Sequence, residues 1–439
     1  MIDQDDVTSG LSDLAANSFD CVLFGDVLQR LADPEAALRA ARTSLADHGV
    51  VAVCVPNFSH HSIVKALLRS DLAYQPSGVL DTNHYRFFTH ATFIKLMLDA
   101  GLLPELVYAT SSDGIDDLLD AATPLLKFFR VDPTRARKFL DADRFLFVAT
   151  ALADVTDRFA NSPLTFVACV NDEDQLSSNL LRSPCLGPGT PHELILRRGE
   201  TSAAAGFHAG LAAAKHDLVV FVQQDMYLPR GWDSRFVDQF RAGEEHLGPI
   251  GVAGAFGLRV VNREREFVGR VMNQETLLDE PIALPARVDS LDEIVLAVHR
   301  VTDLQFDPTL GFHLYGLDVC LSAQQQHLAV AVLDIPCFHN SLFAHTDSAY
   351  HDARERMIAK WPNVDPLWSC MGELRAMAPV LEPKFASMTR QERELDAVRD
   401  ELADARADLL AMKATWSWRM TAPVRWAREV ARRLPSRRN

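Results

Sequence analysis

No apolar run among the 439 residues approaches the ~20 that a bilayer-crossing helix needs. The opening stretch, MIDQDDVTSG, is acidic and has no apolar centre, so a secretory signal is not expected. There is no C-x-x-C pair: the seven cysteines lie scattered at 21, 54, 169, 185, 320, 337 and 370. That dispersion excludes a disulfide framework and a thiolate zinc site, and points to reduced thiols in a cytoplasmic protein. Positive charge is not in excess either. The net charge of −15 at pH 7 argues against nucleic-acid binding by the surface as a whole.

Apolar residues make up 48% of the chain, enough for real cores, and the length suits roughly three domains. Four parts separate. Residues 1–157 alternate apolar strands (FDCVLFGD, GVVAVCVPN, DRFLFVATAL) with amphipathic helices such as Pro34 to Ala46, an α/β pattern. After the polar break DRFANSP, a second alternating series fills 163–379. Over 386–412, Met388, Leu395, Leu402 and Leu409 fall seven apart, with Gln391, Val398, Ala405 and Met412 in the alternate seam positions. Charges occupy the rest, so a coiled coil and a homo-oligomer built through it are expected. In the tail, 413–439, eight Lys or Arg stand against one Glu, which makes that end +7 and the remainder −22. Trp416, Trp418 and Trp426 lie there too, and Arg425, Arg428, Arg432 and Arg433 flank the stripe Val424, Ala427, Val430, Ala431, Leu434. Such a segment suits peripheral contact with the inner face of the cell membrane.

The second series carries the chemistry. Strand TFVACV ends in the acidic loop NDED, and strand LVVFVQQD ends at Asp225 before the exit MYLPRGW. Ligands of open α/β sheets bind at the carboxyl ends of parallel strands. A nucleotide-sugar enzyme needs an anchor for base and ribose at the first such loop. It also needs a carboxylate at the next, to hold Mg²⁺ or Mn²⁺ against the diphosphate. Taken singly, an aspartate after a strand is an ordinary turn residue, and Asp318 alone reads as a helix cap.

Five blocks in order (VNDED, SAAAGFHAGLAAA, VVFVQQDMYLPRGW, FDPTLGFHLYGLDVCLSAQQQ, DIPCFHNS) resemble family 2-type glycosyltransferases of GT-A fold. The nearest subgroup is the bacterial one with a His/Gln-Gln/Glu-Asp triplet in place of Asp-x-Asp. The resemblance implies transfer of a sugar from a nucleotide-sugar donor to a glycan or lipid-linked acceptor, with inversion, in surface polysaccharide assembly. Carried over by position, Asp225 is the metal-binding carboxylate, with Gln223 and Gln224 completing the triplet. Asn171 and Glu173 grip the nucleotide, Asp318 is the base at a helix start, and His339 is a late metal ligand. His313 in the same block is the expected acceptor contact. Asp292, in VDSLDE, is expected to reach the acceptor as a second catalytic carboxylate, although that segment alone also reads as a solvated turn. The chain departs from the pattern at Arg197 and Arg198, where relatives have Asp-Asn, and at His208, a common Asn. Glutamines at 223 and 224 leave a single carboxylate, which implies weak metal binding.

The first part resembles the distal half of a class I methyltransferase that uses S-adenosylmethionine. Asp26-Val27-Leu28-Gln29-Arg30-Leu31 stands where that family has Asp-Val-Leu-Glu-His-Leu. The glycine-rich first turn and the acidic ribose contact have no counterpart before Ser18, so S-adenosylmethionine is not expected to bind. The domain reads as a retained scaffold, or as the remainder of a longer gene product. An exposed strand edge is expected unless the helices between Gly114 and Asp143 cover it. A methyltransferase acting on sugars and a non-catalytic scaffold are the alternative readings of the whole chain.

Overall fold

The computed structural model describes residues 16–375 apart from 112–114, 129, 130, 132, 155–161, 275, 281 and 341–347, together with Gly10. The expected coiled coil at 386–412 and the tail at 413–439 lie outside the described residues.

The first domain begins with β1 (Phe19–Gly25), α1 (Pro34–Ser44) and β2 (Leu45–Pro56). Asp33 starts α1, its side chain accepting from Ala36 N at 2.9 Å, and Pro34 occupies the first turn, where its missing N–H costs nothing. Helices α2 (His61–Leu68) and α3 (His90–Asp99), strand β3 (Leu102–Ser111), helices α4 (Asp116–Phe128) and α5 (Pro133–Asp141), and strand β4 (Ala142–Ala151) follow. The sheet runs β1-β2-β4-β3, with β1 parallel to β2 and the other pairs antiparallel. Helix α3 packs its buried Phe93, Ile94 and Met97 into the core with Phe145 and Phe147. The α4–α5 pair does not cover the free edge. It builds its own cluster around Ile115, Leu119 and Ala136, beside β4 and two strands away from β1. On β1, Leu23 stays 69% exposed and Phe19 38%.

The second domain opens with β5 (Thr165–Val170), α6 (Glu173–Ser178), β6 (Glu193–Arg198), α7 (Ala203–Ala213) and β7 (Leu218–Val222). Strands β6, β5 and β7 lie parallel, as the alternating pattern requires. Helix α7 is capped by the Ser202 hydroxyl on Ala205 N (3.0 Å) and lies close on β5. A Cβ at Gly210 would sit 2.3 Å from Val167 Cγ1, and one at Gly206 2.4 Å from Cys169 Sγ, so glycine sets that approach. Next come β8 (Met226–Tyr227), α8 (Trp232–Leu247), β9 (Ile250–Gly254), β10 (Phe256–Val261), β11 (Glu264–Asn273) and β12 (Thr276–Asp279). The remaining elements are β13 (Ala286–Arg287), β14 (Ser290–Leu291), β15 (Val295–His299), α9 (Tyr315–Gln325), β16 (Ala329–Val332), β17 (Cys337–His339) and α10 (Ser348–Lys360). The main sheet is ordered β13-β16-β9-β15-β7-β5-β6, and a second runs β14-β10-β11-β17-β8 with β12 on β11. A short hairpin pairs Trp368–Ser369 with Gly372–Glu373. Both domains fall in one compact unit ending at Arg375. No helix among the described residues is long and apolar enough to cross a membrane.

Candidate active site

Strands β5 and β7 are neighbours, so their carboxyl ends lie side by side. After β5, Asp172 turns the chain into α6 by accepting from Asp174 N and Gln175 N, both at 3.0 Å. After β7, Gln224 ties the two ends together: Oε1 accepts from Asn171 N and Asp172 N at 3.0 Å, and Nε2 donates to Asn171 Oδ1. Gln224 of the triplet therefore holds the loop after β5 in place.

Asp225 and His339 come together as expected. His339 Nε2 lies 3.6 Å from Asp225 Oδ2, and His339 Nδ1 is 3.0 Å from Asn273 Oδ1. With Nδ1 donating to Asn273, Nε2 presents its lone pair toward the aspartate. Asp225 Oδ1 and His339 Nε2 are buried without a hydrogen-bond partner among the described residues. A neighbouring carboxylate and imidazole, each with such an unpartnered atom, suit one divalent cation, whose other ligands would be phosphate and water oxygens. Among the described residues no three His, Cys, Asp or Glu side chains form a group that could hold a metal ion, so those residues offer this pair.

Two cavities of about 350 Å³ each meet at this pair, sharing Gln223 as a wall. One is lined by Asn171, Arg197, Glu200, Gln224, Asp225 and Phe312. The other is lined by Asn273, Asp292, Glu293, His313, His339 and Tyr350. Asn171, Gln224 and Asp225 thus face the first cavity, and Asp292, His313 and His339 the second. Asp292 is no solvated turn residue: its Oδ1 accepts from Ile294 N at 3.2 Å, and burial raises its pKa.

Two expected residues do not join the site. Glu173 points away to a two-pronged pair with Arg198 (2.6 and 3.1 Å) and lines neither cavity. That exchange follows from Arg198 standing at the end of β6, one strand over from the loop. Asp318 is 1% exposed and lines neither cavity. Its carboxylate accepts from Trp361 Nε1 and Lys360 Nζ, both at 2.9 Å, and so anchors the end of α10.

The carboxylate at the start of α9 is instead Glu293, which accepts from Gly316 N at 2.8 Å. A side chain at 316 would meet Glu293 Cγ at 2.8 Å, so Glu293 fills the space that glycine leaves. Burial pushes its carboxyl up to about 8, against the bonds from Gly316 and Tyr315 backbone, which lower it. Glu293 belongs to the quoted VDSLDE segment, but its role depends on a contact across 23 positions that no local pattern reveals. Tyr315 is likewise found by the structure, which also places Gln223 and Arg197 in the cavity walls.

Adjacent strand ends, an aspartate–histidine pair and a carboxylate across a shared wall frame the candidate site. The glycosyltransferase like family matches residues 165–361, and a methyltransferase domain family matches residues 3–105. The chain carries a GT-A-like glycosyltransferase domain after a partial methyltransferase-like one. No curated protein matches the sequence. Solved structures similar to it include an SAM dependent methyltransferase from Archaeoglobus fulgidus (11% identity, 33% of this chain and 64% of that one, TM-score 0.22). Another is S. aureus TarS 1-349 (12% identity, 46% of this chain and 66% of that one, TM-score 0.31). The chain thus spans just under two thirds of the length of each.

Proposed function

We propose that the second domain transfers a sugar, with inversion, from a nucleotide-sugar donor to a glycan or lipid-linked acceptor of the kind used in bacterial surface polysaccharide assembly. The observation that carries this reading is the pair of cavities meeting at Gln223, Asp225 and His339. The cavity with Asn171 and Gln224 takes the nucleotide, and the cavity with Asp292, Glu293 and His313 takes the acceptor. Asp225 and His339 hold Mg²⁺ or Mn²⁺, which when bound offsets charge on the departing nucleoside diphosphate. Glu293 is the base in place of Asp318: as a carboxylate it takes the acceptor hydroxyl proton while that oxygen bonds the sugar and the bond to the diphosphate breaks. Asp292 and His313 orient the acceptor. The experiment is a panel of nucleotide-sugars with Mn²⁺ or Mg²⁺, read as nucleotide release and as thermal shift. Release with at least one donor, abolished in Asp225→Ala, is expected. Absence of binding and release across the panel rejects the reading.

A further inference from the structure

The strands that carry the cation-binding pair are packed from both sides. On β8, β11 and β17, Met226, Val271 and Cys337 enter the core of the second domain. Their neighbours Tyr227, Met272 and Phe338 turn the other way and enter the core of the methyltransferase-like domain. Asn273 and His339 follow next on β11 and β17, in register with each other. The first domain therefore supplies one of the two packed faces that fix where these strands lie.

Hydrogen bonds run along the same contact. Lys95 Nζ on α3 donates to Ser178 O at 2.6 Å and Asn179 Oδ1 at 2.9 Å. The same Asn179 oxygen accepts from Asn340 Nδ2 at 3.2 Å, and Asn340 N donates to Asp225 O at 2.9 Å. Three hydrogen bonds thus lead from a lysine of the first domain, through the residue after His339, to the backbone of Asp225. Asp99, at the end of α3, makes a second latch by accepting from Tyr227 Oη at 2.6 Å and Arg230 N at 2.9 Å. Lys95 also lies 5.0 Å from the Tyr227 ring centroid and 5.6 Å from that of Phe338.

We propose that the methyltransferase-like domain is a buttress for the donor site, with Lys95, Asp99 and Tyr227 as positioning residues. The proposal rests on reading Asp225 and His339 as the cation-binding pair. A cation held by this pair depends on the separation of the two side chains, and ligands are held by the shell behind them. Here that shell is borrowed from the neighbouring domain.

The test uses two full-length variants. Lys95→Met keeps the alkyl stem and removes the donors, while Tyr227→Phe removes only the bond to Asp99. Amide hydrogen exchange without metal reads the strands, and electron paramagnetic resonance of free Mn²⁺ reads the site. Exchange over 225–230 and 337–340 should rise by about tenfold or more in Lys95→Met, the scale of a lost charged hydrogen bond. Exchange in Ile250–Gly254 should stay as in the native chain, and Mn²⁺ should bind more weakly by a similar factor. Unchanged exchange at both segments in both variants overturns the proposal, as does a uniform rise that includes Ile250–Gly254. Selective loss of protection in a protein whose native form binds no Mn²⁺ supports the buttress and rejects the metal reading instead.

Discussion

Glu293 has to meet two opposed demands. Its carboxylate is held by the first turn of α9, where partial positive charge favours the anion, yet burial favours the neutral acid and prevails, setting the pKa near 8. If the carboxylate is the working base, turnover should climb with pH to a plateau above about 8, and Glu293→Gln should bind donor normally while losing about 10²–10⁴-fold in kcat. A flat pH profile with undiminished turnover in the variant would remove it from the mechanism. The same shift bears on stability. A carboxyl whose folded pKa is raised contributes fully below its unfolded value of 4.5, and that contribution is lost as pH rises through about 8. Glu293→Gln should therefore unfold at a higher temperature than the native chain at pH 8.5, with the gap closing toward pH 4.5. Asp318 is the counterpart. Replacing it with Asn weakens its bonds to Lys360 and Trp361, so a loss of about 1–3 kcal/mol by denaturant unfolding is expected, with kcat per folded molecule unchanged. From the sequence only Asp318 reads as the carboxylate at a helix start, and Glu293 is no more than part of the VDSLDE segment. Which of them lines the cleft depends on tertiary contacts: Lys360 and Trp361 engage Asp318, and Gly316, 23 residues on, engages Glu293.

At the scale of elements, the site exists because loops at neighbouring strand ends are bound to one another. Gln224 bridges β5 and β7 with three hydrogen bonds, two of them to backbone N–H groups, which no carboxylate-for-metal reading of the triplet anticipates. Gln224→Ala should therefore leave those N–H groups without a partner and weaken nucleotide binding through the Asn171 loop, while Mn²⁺ affinity measured without nucleotide stays near native. Equal losses of both would mean that Gln224 is a ligand after all. Helix α7 shows how tightly its platform is set. Gly210→Ala places a methyl 2.3 Å from Val167 Cγ1, and overpacking of this kind costs about 1–3 kcal/mol, measurable as a lower denaturant midpoint. The Ala-Gly-rich block is legible as a helix from composition. The closeness of its approach to β5 is not, because it depends on which residues of the strand lie beneath.

For the whole molecule, the −22 body and +7 tail pull in opposite directions at an anionic surface. If Lys413 to Asn439 hold the protein there, each basic residue adds about 1 kcal/mol, enough together for reversible attachment that weakens with salt. Vesicle sedimentation should rise with anionic lipid and disappear when the segment is removed. Equal sedimentation of intact and truncated chains would leave the tail a solvated end.

The amino-acid sequence by itself determined the order of strands and helices and which strands end at Asn171 and Asp225, while Asp225 and His339 as a pair rest on the resemblance to family 2-type glycosyltransferases. The elements follow from apolar periodicity, and the pair follows from the matched blocks that hold QQD and CFHN. Only the tertiary structure decided that Asp318 is an anchor, that Glu173 is held by Arg198, and that Glu293 stands at the start of α9. It also decided that Tyr227, Met272 and Phe338 belong to the neighbouring domain's core. The reason is common to all of them: each depends on which face of an element is buried against residues far away in the chain, and local spacing carries no record of that choice.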